Sequence, residues 1–137
     1  LALAASMETA LQLALEQLPK RQAVVQAWNN LLRERLSAYP EVRINSPKQA
    51  IPHILNLSVR GVKGAAFQQA LDAKGVCVSV KSACSVENTP SRAVFAVRHD
   101  RKTAMSSWRI SLSHLTTQND IDGFLSAFEA CYKELTK

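Results

Sequence analysis

Cys84 lies in Ser82-Ala83-Cys84-Ser85, a polar stretch without apolar periodicity, where a thiol stays open to solvent or substrate. Lys81, three residues earlier, favours the thiolate, which is the nucleophilic form. The same surroundings also suit an unreactive surface cysteine. Arg109, in Ser106-Ser107-Trp108-Arg109-Ile110-Ser111, has small hydroxyl residues as neighbours on its own strand face. A guanidinium there has room to grip a carboxylate with two parallel N–H bonds, and it equally fits an ordinary solvent-facing arginine. Of the other thiols, Cys77 alternates with Val76 and Val78 in what reads as a buried strand, and Cys131 falls near the apolar face of the last helix. Both read as packed, so Cys84 is expected to be alkylated first.

Other chemistries find little support. His53, His99 and His114 are far apart, and none pairs with Asp or Glu at metal-ligand spacing. Three cysteines at scattered positions form neither a zinc pattern nor a secreted disulfide framework, which points to reduced thiols and a cytoplasmic setting. There is no GxGxxG, no Walker loop and no Gly-x-Ser-x-Gly elbow. The net charge of +6 is spread along the chain without an aromatic-basic reading motif, so direct nucleic-acid binding is not expected. No apolar run approaches the roughly 18 to 20 residues of a membrane span. A chain of 137 residues that is 47% hydrophobic suffices for one globular domain over residues 1–137. Its first residue is Leu1 rather than Met, which reads as a piece of a longer protein.

Several elements must position Cys84 and Arg109. Apolar residues Ala4, Met7, Leu11, Ala14, Leu15 and Leu18 recur at helical spacing, and Val25, Trp28, Leu32 and Leu36 do so again after Pro19. Two helices broken at the proline are predicted. Strands are predicted over 41–45 and 54–59, then a helix over 63–74 ending at Gly75, and a strand over 76–80 leading into the Cys84 loop. Pro90 marks the first turn of a short helix, 107–113 alternates as a strand, and Thr117 with Asp120 resembles a capping box opening a last amphipathic helix. The expected fold class is α/β, or α+β by a stricter definition: a small three- to four-stranded sheet with helices packed on one face.

The run from Gly75 to Ser85, with its Ser-Ala-Cys loop, resembles the active-cysteine segment of NifS/IscS-type cysteine desulfurases, and Pro90-Ser91 follows at nearly that family's distance. Ser106-Ser107-Trp108-Arg109-Ile110-Ser111-Leu112 with Thr116-Thr117 resembles the family's Ser-Ser-x-Arg-x-Ser-Leu segment and Thr-Thr helix start. Upstream, Pro52 to Ser58 and Gly61-Val62-Lys63-Gly64 match its strand and glycine turn. Departures are Lys81, where the family usually has glycine, and Ser113-His114 in place of its Gly-Arg.

The resemblance implies the C-terminal domain of a fold-type I pyridoxal-phosphate enzyme. In it Cys84 is the persulfide-forming nucleophile and Arg109 the anchor for the α-carboxylate of L-cysteine. It also implies that the Schiff-base lysine lies in an N-terminal cofactor domain absent from this chain. No pyridoxal phosphate is then expected on the chain alone, which should be catalytically silent. The implied partners of the whole enzyme are sulfur-acceptor proteins and a second copy of itself, as a homodimer. Alternatives are a selenocysteine lyase or another class-V aminotransferase-like enzyme, and a non-catalytic interaction module.

Overall fold

A computed structural model describes residues 1–81 and 89–137. The chain opens with one helix, α1 (Ala2–Ser37), which runs through Pro19 without a break. This corrects the expectation of two helices. Proline removes one N–H and crowds the carbonyl four residues back, a cost of about 3 kcal/mol. Here good helix formers flank it, and the second half of α1 is anchored in the core through Val25, Leu32 and Leu36. Two long-range bonds fix that half in place: Asn29 Nδ2 donates to the Pro52 carbonyl at 2.8 Å, and Trp28 Nε1 to the Thr116 carbonyl at 3.0 Å.

After α1 come β1 (Val42–Ile44), β2 (Ile54–Val59), α2 (Gly64–Asp72), α3 (Arg92–Arg98), α4 (Arg101–Met105), β3 (Ser107–Ser111) and α5 (Gln118–Leu135). The strands form an antiparallel sheet in the order β1-β2-β3, with Ile44 opposite Leu57 and Leu57 opposite Trp108. Period-two alternation sends Leu55, Leu57, Val59, Trp108 and Ile110 to one face, where α1, α2 and α5 bury them. Phe67 of α2 stacks on Trp108 at 5.1 Å between ring centroids, and Phe128 of α5 closes on both. The expected fold class, a small sheet with helices, is borne out. The short helices α3 and α4 add cover on the other sheet face, where Ser58 Oγ donates to the Thr103 carbonyl at 2.9 Å.

Two glycines are set by their surroundings. Gly75 takes φ +77° behind α2, a left-handed turn that lets the Val76 N–H return to the Leu71 carbonyl. Gly64 opens α2 so close to β3 that a Cβ there would lie 2.4 Å from the Ser107 carbonyl oxygen.

The strand predicted over 76–80 is reduced to one bridge, between Ser79 and Arg109. The physical reason lies in the neighbouring bonds: the Val78 carbonyl is taken by the Gln68 side chain and the Val76 N–H by the end of α2. Those groups are therefore not offered to β3.

Candidate functional site

Arg109 sits in the middle of β3, and both its backbone groups turn to Ser79. Its N–H donates to the Ser79 carbonyl at 2.7 Å and its carbonyl accepts from the Ser79 N–H at 3.1 Å. On the other side it stands opposite Asn56 of β2. Since its hydrogen bonds point away, Arg109 and Asn56 form the narrow kind of antiparallel pair, with Cα atoms about 4.5 Å apart and side chains close. Asn56 in turn receives the Asn45 backbone N–H at 2.8 Å, and Asn45 Nδ2 donates to Asn56 Oδ1 at 2.9 Å. A row of polar side chains, Asn45, Asn56 and Arg109, thus crosses the sheet on the face away from the main core.

That row lines a cleft of about 890 Å³ whose far wall is α3 with Pro90 and Ser91 before it. Ser91 caps α3, its Oγ accepting from the Val94 N–H, and its own N–H reaches the Ala104 carbonyl at 3.1 Å. Arg98, at the other end of α3, ties the wall down: its Nη2 donates to the Ile44 carbonyl at 2.8 Å and the Asn45 carbonyl at 3.3 Å. The lining includes Lys81, Arg92, Arg98 and Arg109, and among the described residues it includes no carboxylate. Such a cleft favours anions.

Among the described residues Arg109 finds no side-chain hydrogen-bond partner, and its Nε is buried without one, as are Arg98 Nε and Asn45 Oδ1. Each buried polar atom without a partner costs about 1–3 kcal/mol. The terminal nitrogens of Arg109 remain available for a carboxylate in the bidentate geometry that guanidinium favours. Ser107, two residues before Arg109 on β3, is fully buried, because Gly64 and α4 close over that end of the strand. Only the Arg109 end of that face opens on the cleft.

Cys84 falls in the segment 82–88, outside the described residues. Both residues that flank the segment, Lys81 and Thr89, line the Arg109 cleft. They also bond to each other, Lys81 Nζ donating to the Thr89 carbonyl at 2.7 Å and to Thr89 Oγ1 at 3.1 Å.

The remaining thiols divide. Cys131 is fully buried on α5, as expected, and burial pushes its thiol pKa up. Cys77 is exposed, which corrects the expectation of a packed thiol: alternation turns Val76 and Val78 toward the core and Cys77 away from it, with its Sγ 3.9 Å from Asp72 Oδ1. Among the described residues no three His, Cys, Asp or Glu side chains form a possible metal site, and none of the three histidines lines the cleft. Asn45, Asn56 and Arg98 were not singled out from the sequence. Their shared position depends on strand register and on a bond spanning 54 residues, for which there is no local signal.

The cleft does not by itself suit a pyridoxal phosphate. Among its described residues there is neither a carboxylate for a pyridine nitrogen nor an imidazole to lie against the ring, and Lys81, its one lysine, is spent on Thr89. What its described residues offer is positive charge, from Arg92, Arg98 and Arg109.

The family model for aminotransferase class V matches residues 1–124. The chain is 31% identical over 130 residues to the cysteine desulfurase IscS of Clostridium botulinum, which covers 91% of this chain and 33% of that protein. Among solved structures, a NifS-like protein from Rickettsia africae ESF-5 superimposes with TM-score 0.74 at 27% identity, over 86% of this chain and 31% of the other. Another NifS-like protein gives TM-score 0.77 at 25% identity, over 93% and 32%. The chain therefore spans about a third of the length of the curated relatives it matches.

Proposed function

Because the chain belongs to the class-V aminotransferase family, we propose that it is the C-terminal domain of a cysteine desulfurase that converts L-cysteine to L-alanine and takes the sulfur onto Cys84. The observation that carries this reading is the placing of Arg109. Its guanidinium makes no hydrogen bond to the other described residues and lines a cleft with no carboxylate among the described residues, and the two residues flanking the Cys84 segment line the same cleft. Arg109 binds and orients the substrate carboxylate, a positioning contribution that leaves bond making to other groups. Cys84 is the nucleophile that accepts sulfur. The transfer balances as L-cysteine plus the Cys84 thiol giving L-alanine plus the Cys84 persulfide: one C–S bond breaks, one S–S bond forms, and the carbon gains the hydrogen that the sulfur pair gives up.

Pyridoxal phosphate, held in the full-length enzyme by a domain upstream of this chain, supplies the electron withdrawal that weakens the substrate's C–S bond. The persulfide then serves sulfur-acceptor proteins in iron–sulfur cluster assembly or thio-cofactor and tRNA thiolation pathways, from a homodimeric cytoplasmic enzyme. No helix among the described residues is long and apolar enough to cross a membrane.

The test is made on the protein that carries this chain together with its upstream region. L-cysteine should yield alanine, and alkylation followed by mass mapping should find one extra sulfur on Cys84, absent in Cys84→Ser. The chain alone should release no alanine and retain no cofactor after borohydride. Persulfide on Cys77 in place of Cys84, or a yellow chain that borohydride fixes, would overturn the reading.

A further inference from the structure

A second groove, of about 750 Å³, shares no lining residue with the Arg109 cleft. One wall is the end of the sheet where β1 begins and β2 finishes, and the other is α4. Antiparallel register sets Arg43 opposite Ser58, whose Oγ donates to the Thr103 carbonyl of α4 at 2.9 Å and so joins the walls across the floor. The Arg60 N–H donates to the Glu41 carbonyl at 2.9 Å. Gly61, at φ +83°, then turns the chain so that Val62 is buried and Lys63 stays exposed.

This arrangement gathers positive charge. Arg43, Arg60 and Lys63 line the groove from the sheet wall, Arg101 and Lys102 from α4, and all five are exposed. The two carboxylates in the lining are engaged elsewhere. Asp100 caps α4, accepting from the Lys102 N–H at 2.9 Å and from Thr103 Oγ1 at 2.5 Å, and Glu41 accepts from the Tyr132 hydroxyl. The field of Arg43 reaches Asp100 without a contact between them. Among the described residues none of the five cations makes a side-chain hydrogen bond or an ion pair. Cations gathered round one concave space repel each other and attract an anionic partner. Between the walls Val42 and Met105 are half-buried and offer apolar surface. Lys81 and Thr89, which flank the segment 82–88, line the other cleft and not this one.

We propose that this groove docks an acidic peptide segment of a partner protein, its carboxylates meeting the cations of both walls and an apolar side chain meeting Val42 and Met105. Charge complementarity and the apolar floor together favour a peptide. A nucleic acid fits less well, because no aromatic side chain among the described residues lines the groove for base stacking, and the Glu41 and Asp100 carboxylates would repel phosphates. The proposal is independent of the roles given to Arg109 and Cys84.

The experiment measures fluorescence anisotropy with the full-length protein that carries this chain. The probes are a labelled octapeptide with leucine at its third and sixth positions and glutamate elsewhere, its counterpart with glutamine for glutamate, and a labelled oligouridine. At low ionic strength the acidic peptide should bind at least roughly tenfold tighter than the glutamine peptide, and added salt should weaken it. Arg60→Glu with Lys63→Glu on one wall, and Arg101→Glu with Lys102→Glu on the other, should each weaken the acidic peptide roughly tenfold. Lys48→Glu with Lys137→Glu alters the net charge equally at exposed positions outside both clefts, and should leave binding within about twofold. The proposal is overturned if the acidic peptide does not bind, if the Lys48 and Lys137 pair matters as much as either wall, or if reversing a wall changes nothing. Oligouridine that binds as tightly and displaces the peptide would make the groove a nucleic-acid surface instead. Should one wall's variant fail to fold, the other wall's variant decides.

Discussion

Arg109 and Ser79 exchange both of their backbone hydrogen bonds, at 2.7 and 3.1 Å, and this single bridge attaches the segment after α2 to the edge of the sheet. The Arg109 side chain takes no part in it. Removing the guanidinium therefore leaves the bridge and the strand intact.

Arg109→Ala should accordingly be a clean probe. In the full-length protein it should lower kcat/KM for L-cysteine by an amount equivalent to roughly 2 to 5 kcal/mol, as expected when one member of a charged bidentate contact is lost. Arg109→Lys should recover little, because an ammonium cannot reproduce the planar fork. The melting temperature of the chain should barely move. Unchanged cysteine kinetics in the alanine variant would make Arg109 a bystander.

Gly64 and Gly123 should respond to alanine in opposite directions. At Gly64 the new methyl would lie 2.4 Å from the Ser107 carbonyl, so α2 must shift off β3, at a cost of about 1–3 kcal/mol. At Gly123, inside α5, a Cβ meets nothing within 4 Å, and alanine should stabilise by up to about 1 kcal/mol through helix propensity. Urea unfolding of the two variants measures both, and equal destabilisation would contradict the packing described.

Thiol labelling should separate Cys77 from Cys131. Cys77 is exposed and should react with iodoacetamide under native conditions. Cys131 is fully buried with its pKa raised chiefly by desolvation, so it should react only as the chain unfolds. Mass mapping over time gives the order. Early labelling of Cys131 would mean that α5 is not packed as described.

Asp100 and Asp120 should weaken the fold in acid. Hydrogen bonds from Thr103 and the Lys102 N–H hold the Asp100 carboxyl below its ordinary value of 3.8, and Thr117 does the same for Asp120 in the capping box of α5. A depressed native pKa means that the unfolded chain takes up protons first as the pH falls. The stabilisation is thus complete above about pH 4 to 5 and disappears as the pH drops through the native values. Replacing both residues by asparagine should flatten the acid limb of a urea-midpoint profile between pH 6 and pH 2. An unchanged acid limb would assign acid sensitivity to other carboxyls.

What could be read from the sequence was what depends on near neighbours. The strand Ile54–Val59 appears within the predicted bounds because alternation is local, and the Thr117–Asp120 capping box forms because its partners are three residues apart. Pro19 misled, since the penalty it imposes is local whereas the core contacts of Val25, Leu32 and Leu36 that carry α1 onward are not. Helix α4 was not foreseen: its five residues hold too short a pattern, and its Asp100 cap becomes meaningful only once Thr103 is placed against Ser58. Arg109 stood out by its strand neighbours, but its companions did not. Asn45 and Asn56 became part of the cleft through antiparallel register, which sequence spacing does not specify.

The uneven burial of α1 sets up a gradient within one continuous helix. Its first twenty residues are exposed apart from Ala14, leaving Leu3, Met7, Leu11, Leu15 and Leu18 uncovered, whereas Val25, Asn29, Leu32 and Leu36 are sealed. Helical hydrogen bonds that lack tertiary support open by local fraying, and Pro19 leaves one rung of the ladder missing near the boundary. In deuterated water the amides of the first five turns of this chain should exchange fast and independently of denaturant. Those from Val25 onward should exchange only when the whole domain opens, so that a single helix reports both the weakest and the strongest free energies of opening in the molecule.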